Sequence, residues 1–186
     1  FPVDSNKIYV CVIPVCNNLN VAEFSDLSEN EEYKNIVSNA LDFASADELR
    51  EKGFEYGAKT GRARRVGPLD LVATRYGVQV QGATEIAFTK LDILSYMDSI
   101  PVCTHYSLNG QIIDDFPFPS LLDCCSPVYE YLPGWKGTDI SGCRSWEELP
   151  QAARDYVLYV EEAIGCRISY VSVGAERDAY IYRGKK

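Results

Sequence analysis

The chain of 186 residues contains one methionine, Met97, and one histidine, His105, and it begins with Phe1. His105 has no second ligand at metal-site spacing, and no C-x-x-C pair occurs among the seven cysteines. The common zinc-ligand patterns are therefore excluded. Cys11, Cys16, Cys103, Cys124, Cys125, Cys143 and Cys166 are odd in number in a chain that is not small. They read as reduced, structural thiols rather than a disulfide framework. No apolar run approaches the ~20 residues that cross a bilayer, and no secretory signal is read at the start. Positive charge is scarce, with 18 Lys and Arg against 27 Asp and Glu, a net charge of −9. General nucleic-acid binders are usually basic, so neither nucleic acid nor membrane is expected as a partner. The start at Phe1 gives the expectation of a piece of a longer protein.

What remains is ordinary globular material, 46% hydrophobic and 24% charged, long enough to bury a core. Lys7 to Val15 reads as a strand, pushed toward an edge by Pro14. Asn17 to Asp26 is loop-like. Ser28 to Glu31 is a capping box ahead of helical spacing through Tyr33, Ile36, Val37, Ala40 and Leu41. A second box, Ser45 to Glu48, opens a short helix that Gly53 can end. Tyr56 to Gly67 has no periodicity and reads as a loop. Pro68 fits the first position of a helix whose apolar face is Leu69, Val72, Ala73, Tyr76 and Val80. Glu85 to Thr89 is a short buried strand. Ile100 to Tyr106 and Gln111 to Phe116 flank Asn109-Gly110, a hairpin signal. His105 is then an ordinary strand histidine. Val128 to Leu132 is a further strand, and Ser145 to Glu148 a third capping box. Ala153, Tyr156, Val157, Val160 and Ile164 form an amphipathic stripe from about Pro150 to Ile164, stopped by Gly165. Arg167 to Val173 and Ala179 to Tyr182 close the chain as strands. Helices between strands favour an α/β fold with a mixed sheet flanked by helices.

Three segments carry candidate chemistry. Gly57-Ala58-Lys59-Thr60-Gly61-Arg62-Ala63-Arg64-Arg65 packs four cations into a glycine-bounded loop of an acidic protein. Arginine forks match carboxylates and phosphates, so it reads either as an anion site or as a solvated basic loop. Thr89-Lys90-Leu91-Asp92 follows a buried strand, where α/β proteins bind ligands. An Asp there can accept from both N1–H and the 2-amino group of guanine, and adenine would leave it facing a lone pair. The Lys90 stem can lie along the base. A strand-to-helix turn capped by Asp is the other reading. Ser172-Val173-Gly174 also follows a strand, and is an ordinary turn or a loop whose amides meet a base or phosphate.

In this order and spacing the segments resemble the adenylosuccinate synthetase family. The resemblance runs from about Leu49 to Tyr182. It is carried by GAKTGRARRVGPLD (Gly57 to Asp70), Leu71 to Tyr76, Thr89 to Leu94, VYEYLPGW (Val128 to Trp135) and SVGAER (Ser172 to Arg177). Lys59, Pro68 and Ala175 stand where the family usually has Thr, Trp and Pro. The resemblance implies the C-terminal portion of a larger P-loop-NTPase-like synthetase fold, with residues 1–48 as a divergent extension or insertion and 49–186 as the synthetase region. It implies GTP-dependent ligation of L-aspartate to IMP in the cytoplasm, by a homodimeric parent that uses Mg²⁺ held mainly outside this chain. Ala58, Lys59, Thr60, Gly61, Arg62, Ala63 and Arg64 would match the aspartate loop. Arg62 would also touch IMP, and Arg64 would lie near the GTP phosphates. Lys90, Leu91 and Asp92 would read guanine, with Ser172, Val173 and Gly174 as the second wall. The family's phosphate loop, catalytic Asp and catalytic His would precede Phe1, so this chain alone is expected to be inactive. A non-catalytic guanine-nucleotide or anion-binding module derived from the family is the alternative.

Overall fold

The computed structural model describes residues 9–12 and 43–184. The loop expected at 17–26 and the box and helix expected across 28–41 lie outside them. The chain divides into two compact units, one made of residues 1–14 and 68–186 and the other of residues 15–67.

The larger unit holds two sheets. The first has the order β1 (Tyr9–Val12), β3 (Glu85–Phe88), β7 (Ile168–Ser172) and β8 (Tyr180–Tyr182). β1, β3 and β7 run parallel, and β8 is antiparallel to β7. Among the described strands, β1 comes at one end of this order. All four residues of β3 are buried, as a strand covered on both faces requires.

The second sheet is organised on β4 (Ser99–Leu108). Along its length β4 pairs antiparallel with β6 (Cys125–Pro133). Its other edge takes β2 (Leu69–Asp70) in parallel and β5 (Gln111–Ile113) antiparallel. Asn109 and Gly110 both adopt positive φ, 52° and 81°, as a two-residue hairpin turn requires. β5 stops at Ile113, short of the expected Phe116. The Phe116 ring instead stacks on Tyr76 at 4.8 Å between centroids. β6 is longer than its apolar stretch suggests, because β4 offers it a partner at every step. α3 (Pro119–Leu122) leads into β6.

α4 (Gln151–Ile164) buries the five stripe residues read from the sequence, and Gly165 ends it in the left-handed conformation. Burying Val157, Val160 and Ile164 contributes about 1.5–3 kcal/mol each. The box at Ser145 is formed with both of its hydrogen bonds and caps a 3-10 turn at Trp146–Glu148. Among the described cysteines, Cys124, Cys125, Cys143 and Cys166 are free thiols, and the buried Cys103 thiol donates to the His105 carbonyl at 3.3 Å. His105 lies in β4, its ring beside Thr104 and Asp114.

Three expectations about helix ends are corrected. α1 (Phe43–Lys52) begins ahead of Ser45, so that residue is inside the helix rather than at its cap. Ala44 and Ala46, the strongest helix formers, carry the first turn upstream. Gly53 closes the helix through its amide to the Leu49 carbonyl, but the left-handed step falls on Phe54 at φ 50°. Pro68 is not the first residue of the next helix either. It precedes β2, and α2 (Leu71–Gln81) starts only after Asp70. The Asp70 carboxylate accepts from the Ala73 amide at 2.9 Å, a side-chain cap that outweighs the fit of proline to a first turn. Starting there, α2 buries Leu71, Val72 and Val78 and leaves Tyr76 and Val80 exposed.

Asp70 also accepts from the hydroxyl of buried Tyr106 in β4, so one carboxylate caps α2 and ties it to the second sheet. Burial raises its pKa, and the bonds from Ala73 and Tyr106 pull it back. Asp70→Ala removes the cap and leaves the Tyr106 hydroxyl without this acceptor. It is expected to cost about 2 kcal/mol, lowering Tm by roughly 4–8 °C, while Asp70→Asn loses less. Equal melting curves for wild type and Asp70→Ala would remove this link from the account.

Candidate functional site

The basic loop lies in the smaller unit and is a closed turn. Its base is a short antiparallel bridge, Tyr56 to Ala63, with the Gly57 amide donating to the Arg62 carbonyl and the Arg64 amide to the Glu55 carbonyl, 2.8 and 2.9 Å. The Gly61 amide returns to the Gly57 carbonyl at 2.8 Å, and Gly61 has φ 63°, where a side chain is disfavoured. A Cβ on Gly57 would meet the Thr60 hydroxyl at 2.7 Å. Gly61 is thus favoured by the turn's backbone, and a side chain at Gly57 would displace the Thr60 hydroxyl. Thr60 Oγ1 accepts from the Arg62 amide at 3.3 Å. Ala58, Lys59, Thr60, Gly61, Arg62 and Ala63 are all exposed.

The loop's two central arginines differ. The Arg62 guanidinium makes no hydrogen bond or ion pair with any described residue. The Arg64 guanidinium pairs with the buried Glu55 carboxylate at 3.1 Å, and its own carbonyl accepts from Arg50 Nε at 2.8 Å. The sequence reading passed over Glu55. Its one signal is a lone acid between Phe54 and Tyr56, ahead of a basic loop.

The other two segments meet in the larger unit. β3 and β7 are parallel neighbours, so Thr89–Asp92 and Ser172–Gly174 both emerge at their C-terminal ends. The Leu91 amide donates to the Ser172 carbonyl at 3.1 Å. Lys90 takes the left-handed conformation, φ 62°. That sharp step drops Leu91 fully into the core and leaves Asp92 half-buried at the head of a 3-10 turn, Asp92–Leu94. Leu91, not Asp92, is the residue before that turn, and no side chain caps it. Burial raises the Asp92 pKa, the Asp92 amide and the Lys90 charge lower it, and Asp139 raises it again. Asp139, another residue the sequence reading passed over, is therefore part of this surroundings. Ser172 Oγ donates to the Gly174 carbonyl at 3.0 Å. The Val173 amide donates to the Ala179 carbonyl at 2.9 Å, and a Cβ on Gly174 would press on that of Ala179 at 3.1 Å.

Loops at the carboxyl ends of parallel strands are where open α/β domains bind ligands, and mixed α/β is the class that the fold defines. The family model for adenylosuccinate synthetase matches residues 30–181, which include all three segments. An adenylosuccinate synthetase from Pelobacter propionicus is 52% identical over 139 residues, 74% of this chain and 32% of the relative. One from Geotalea daltonii is 47% identical over 142 residues, 76% and 33% of the two chains. Among solved structures, that of fully ligated adenylosuccinate synthetase from Plasmodium falciparum matches with a TM-score of 0.73 at 34% identity, over 78% of this chain and 35% of that one. The chain belongs to the adenylosuccinate synthetase family. It spans about a third of the length of the curated relatives it matches. The structural likeness bears out the mixed α/β class and the expected place within a larger P-loop-like synthetase fold.

The Asp92 shift sets a pH dependence. A folded-state pKa above the ordinary 3.8 means that the folded chain holds this proton more tightly than the unfolded chain. Stability contributed by the site is therefore present at and below pH 3.8 and is lost as pH rises through the elevated value. Relative to wild type, Asp92→Asn is expected to gain stability over that window and then level off, as read by denaturant titration. A difference between the two that does not vary with pH would contradict it.

Proposed function

We propose that this chain is part of a purine-biosynthetic ligase that joins L-aspartate to IMP with GTP, giving adenylosuccinate, GDP and phosphate. In this reading GTP phosphorylates the 6-oxygen of IMP, and the aspartate amine then displaces phosphate. The observation that carries the proposal is the hydrogen bond from Leu91 to Ser172, which makes one surface of two separate family segments. Asp92 accepts from guanine N1–H and the 2-amino group, Lys90 covers the base, and Ser172–Gly174 forms the opposite wall.

In the basic loop, Thr60 and the neighbouring amides hold the aspartate carboxylates, with Ala58, Lys59, Gly61 and Ala63 shaping the turn. Lys59 brings a point charge where the family has a hydroxyl. Arg62, unpaired within the described residues, takes a carboxylate and IMP. Arg64 has five N–H donors. Glu55 takes one of them, and the others are left for the GTP phosphates. Cations so placed stabilise charge developing on the transferring phosphoryl group.

The donor set for Mg²⁺ does not fit here. Among the described residues no three His, Cys, Asp or Glu side chains converge. The ion's ligands, the phosphate loop and the catalytic acid–base groups are assigned to the remainder of the synthetase, and residues 49–186 to its C-terminal region. No described helix is long and apolar enough to cross a membrane. A cytoplasmic homodimer completes the proposal.

In the complete synthetase, Asp92→Asn is expected to lower kcat/KM for GTP by about tenfold or more and to narrow its preference over ITP. An unchanged GTP-to-ITP ratio would remove Asp92 from base recognition. Arg62→Leu is expected to lower kcat/KM for aspartate by roughly 100-fold, because a charge-assisted contact to substrate is lost, with Tm nearly unchanged. Wild-type turnover in that variant would rule the assignment out.

A further inference from the structure

The close of the VYEYLPGW stretch has no part in the reading above, yet it clasps the turn that carries Asp92. Following β6, the Gly134 amide donates to the Asp98 carbonyl at 2.8 Å, and the Gly137 amide to the Ser95 carbonyl at 3.2 Å. Between them the Trp135 indole Nε1–H donates to Ser95 Oγ at 3.1 Å. Ser95 in turn donates its amide to the Asp92 carbonyl at 3.1 Å. The clasp is tight, because a Cβ on Gly134 would lie 2.0 Å from the Met97 carbonyl oxygen. Trp135 is buried, edge-on to Tyr156 of α4 at 5.8 Å between centroids. Tyr156 packs on Phe88, the last residue of β3, at 6.1 Å. The exposed pair Lys136–Asp98, at 2.7 Å, adds little to this.

The turn is therefore held from two sides. The Ser172 carbonyl fixes its entry at Leu91, and the 134–137 segment fixes its exit at Ser95. A carboxylate that reads two donors on a flat base needs such a frame, since both acceptor oxygens must lie in the plane of the purine edge. We propose that Trp135, through its hydrogen bond to Ser95, is a positioning residue for base selection, holding Asp92 in the orientation that distinguishes guanine from hypoxanthine. This rests on the assignment of Asp92 to guanine.

The test uses the complete synthetase with Ser95→Ala, which removes the acceptor at little change in volume, and Trp135→Phe, which keeps an aromatic ring. Each is expected to raise KM for GTP about fivefold, the equivalent of one lost neutral hydrogen bond, and to reduce the GTP-over-ITP preference. KM for IMP and for aspartate is expected to stay within about twofold, because neither contact concerns those substrates. The double variant is expected to match either single one, since both delete the same bond. If Ser95→Ala lowers kcat in proportion to lost folded protein and leaves KM for GTP and the GTP-to-ITP ratio unchanged, the positioning role is overturned. Should Trp135→Phe fail to fold, Ser95→Ala alone decides. Asp92→Asn is measured alongside. A normal ratio in that variant defeats the base-reading assignment, whereas an altered ratio there with a normal one in Ser95→Ala defeats only the positioning role.

Discussion

The amide of Leu91 and the carbonyl of Ser172 meet across 3.1 Å, and the strand-end surface depends on that contact. It can form only because β3 and β7 are parallel neighbours whose ends align, Phe88 opposite Val171, so that both chains leave the sheet at the same end. Parallel pairing fits strands that are buried along almost their whole length. Glu85 to Phe88 and Ile168 to Val171 are buried throughout. The stripe on α4 supplies part of the cover, with Tyr156 against Phe88. The left-handed step at Lys90 then converts a buried strand into a half-exposed acid within two residues. A non-glycine residue in that conformation carries a local cost of roughly 1–2 kcal/mol, which the fully buried Leu91 side chain offsets.

The smaller unit solves a different problem. An exposed loop of four cations in an acidic chain would be a floppy solvated segment unless its ends were tied. Backbone bonds at Gly57, Gly61 and Arg64 close it, and the buried Glu55 carboxylate fixes one of its arginines. An ion pair with one buried partner is sensitive to loss of the other. Arg64 is thereby committed to one direction, while the Arg62 guanidinium makes no hydrogen bond or ion pair with any described residue.

Much of this was readable in the residues because it is local. The stripe Ala153 to Ile164, the Asn109-Gly110 turn and the Ser145–Glu148 box need only near neighbours, and each is present. The start of α2 was not readable in the same way. Pro68 suits a first helical turn, and nothing nearby reveals that Leu69 and Asp70 pair with Val102 and Cys103 more than thirty residues later. That pairing moves the helix start to Asp70 and turns Tyr76 and Val80 outward. The length of β6 was hidden for the same reason, since β4 decides it. The Trp135–Ser95 bond spans forty residues, and Glu55 does not stand out by type. The basic loop was visible because glycine and arginine cluster there, the other two segments because each follows a strand, and the family model spans all three.

The most direct measurement is a crystal structure of the complete synthetase with GDP bound. The account predicts that both Asp92 carboxylate oxygens lie about 2.9 Å from guanine N1 and the 2-amino nitrogen, with the base between Lys90 and the Ser172–Gly174 backbone. A guanine ring bound elsewhere, or bound here with Asp92 turned to solvent, would contradict it.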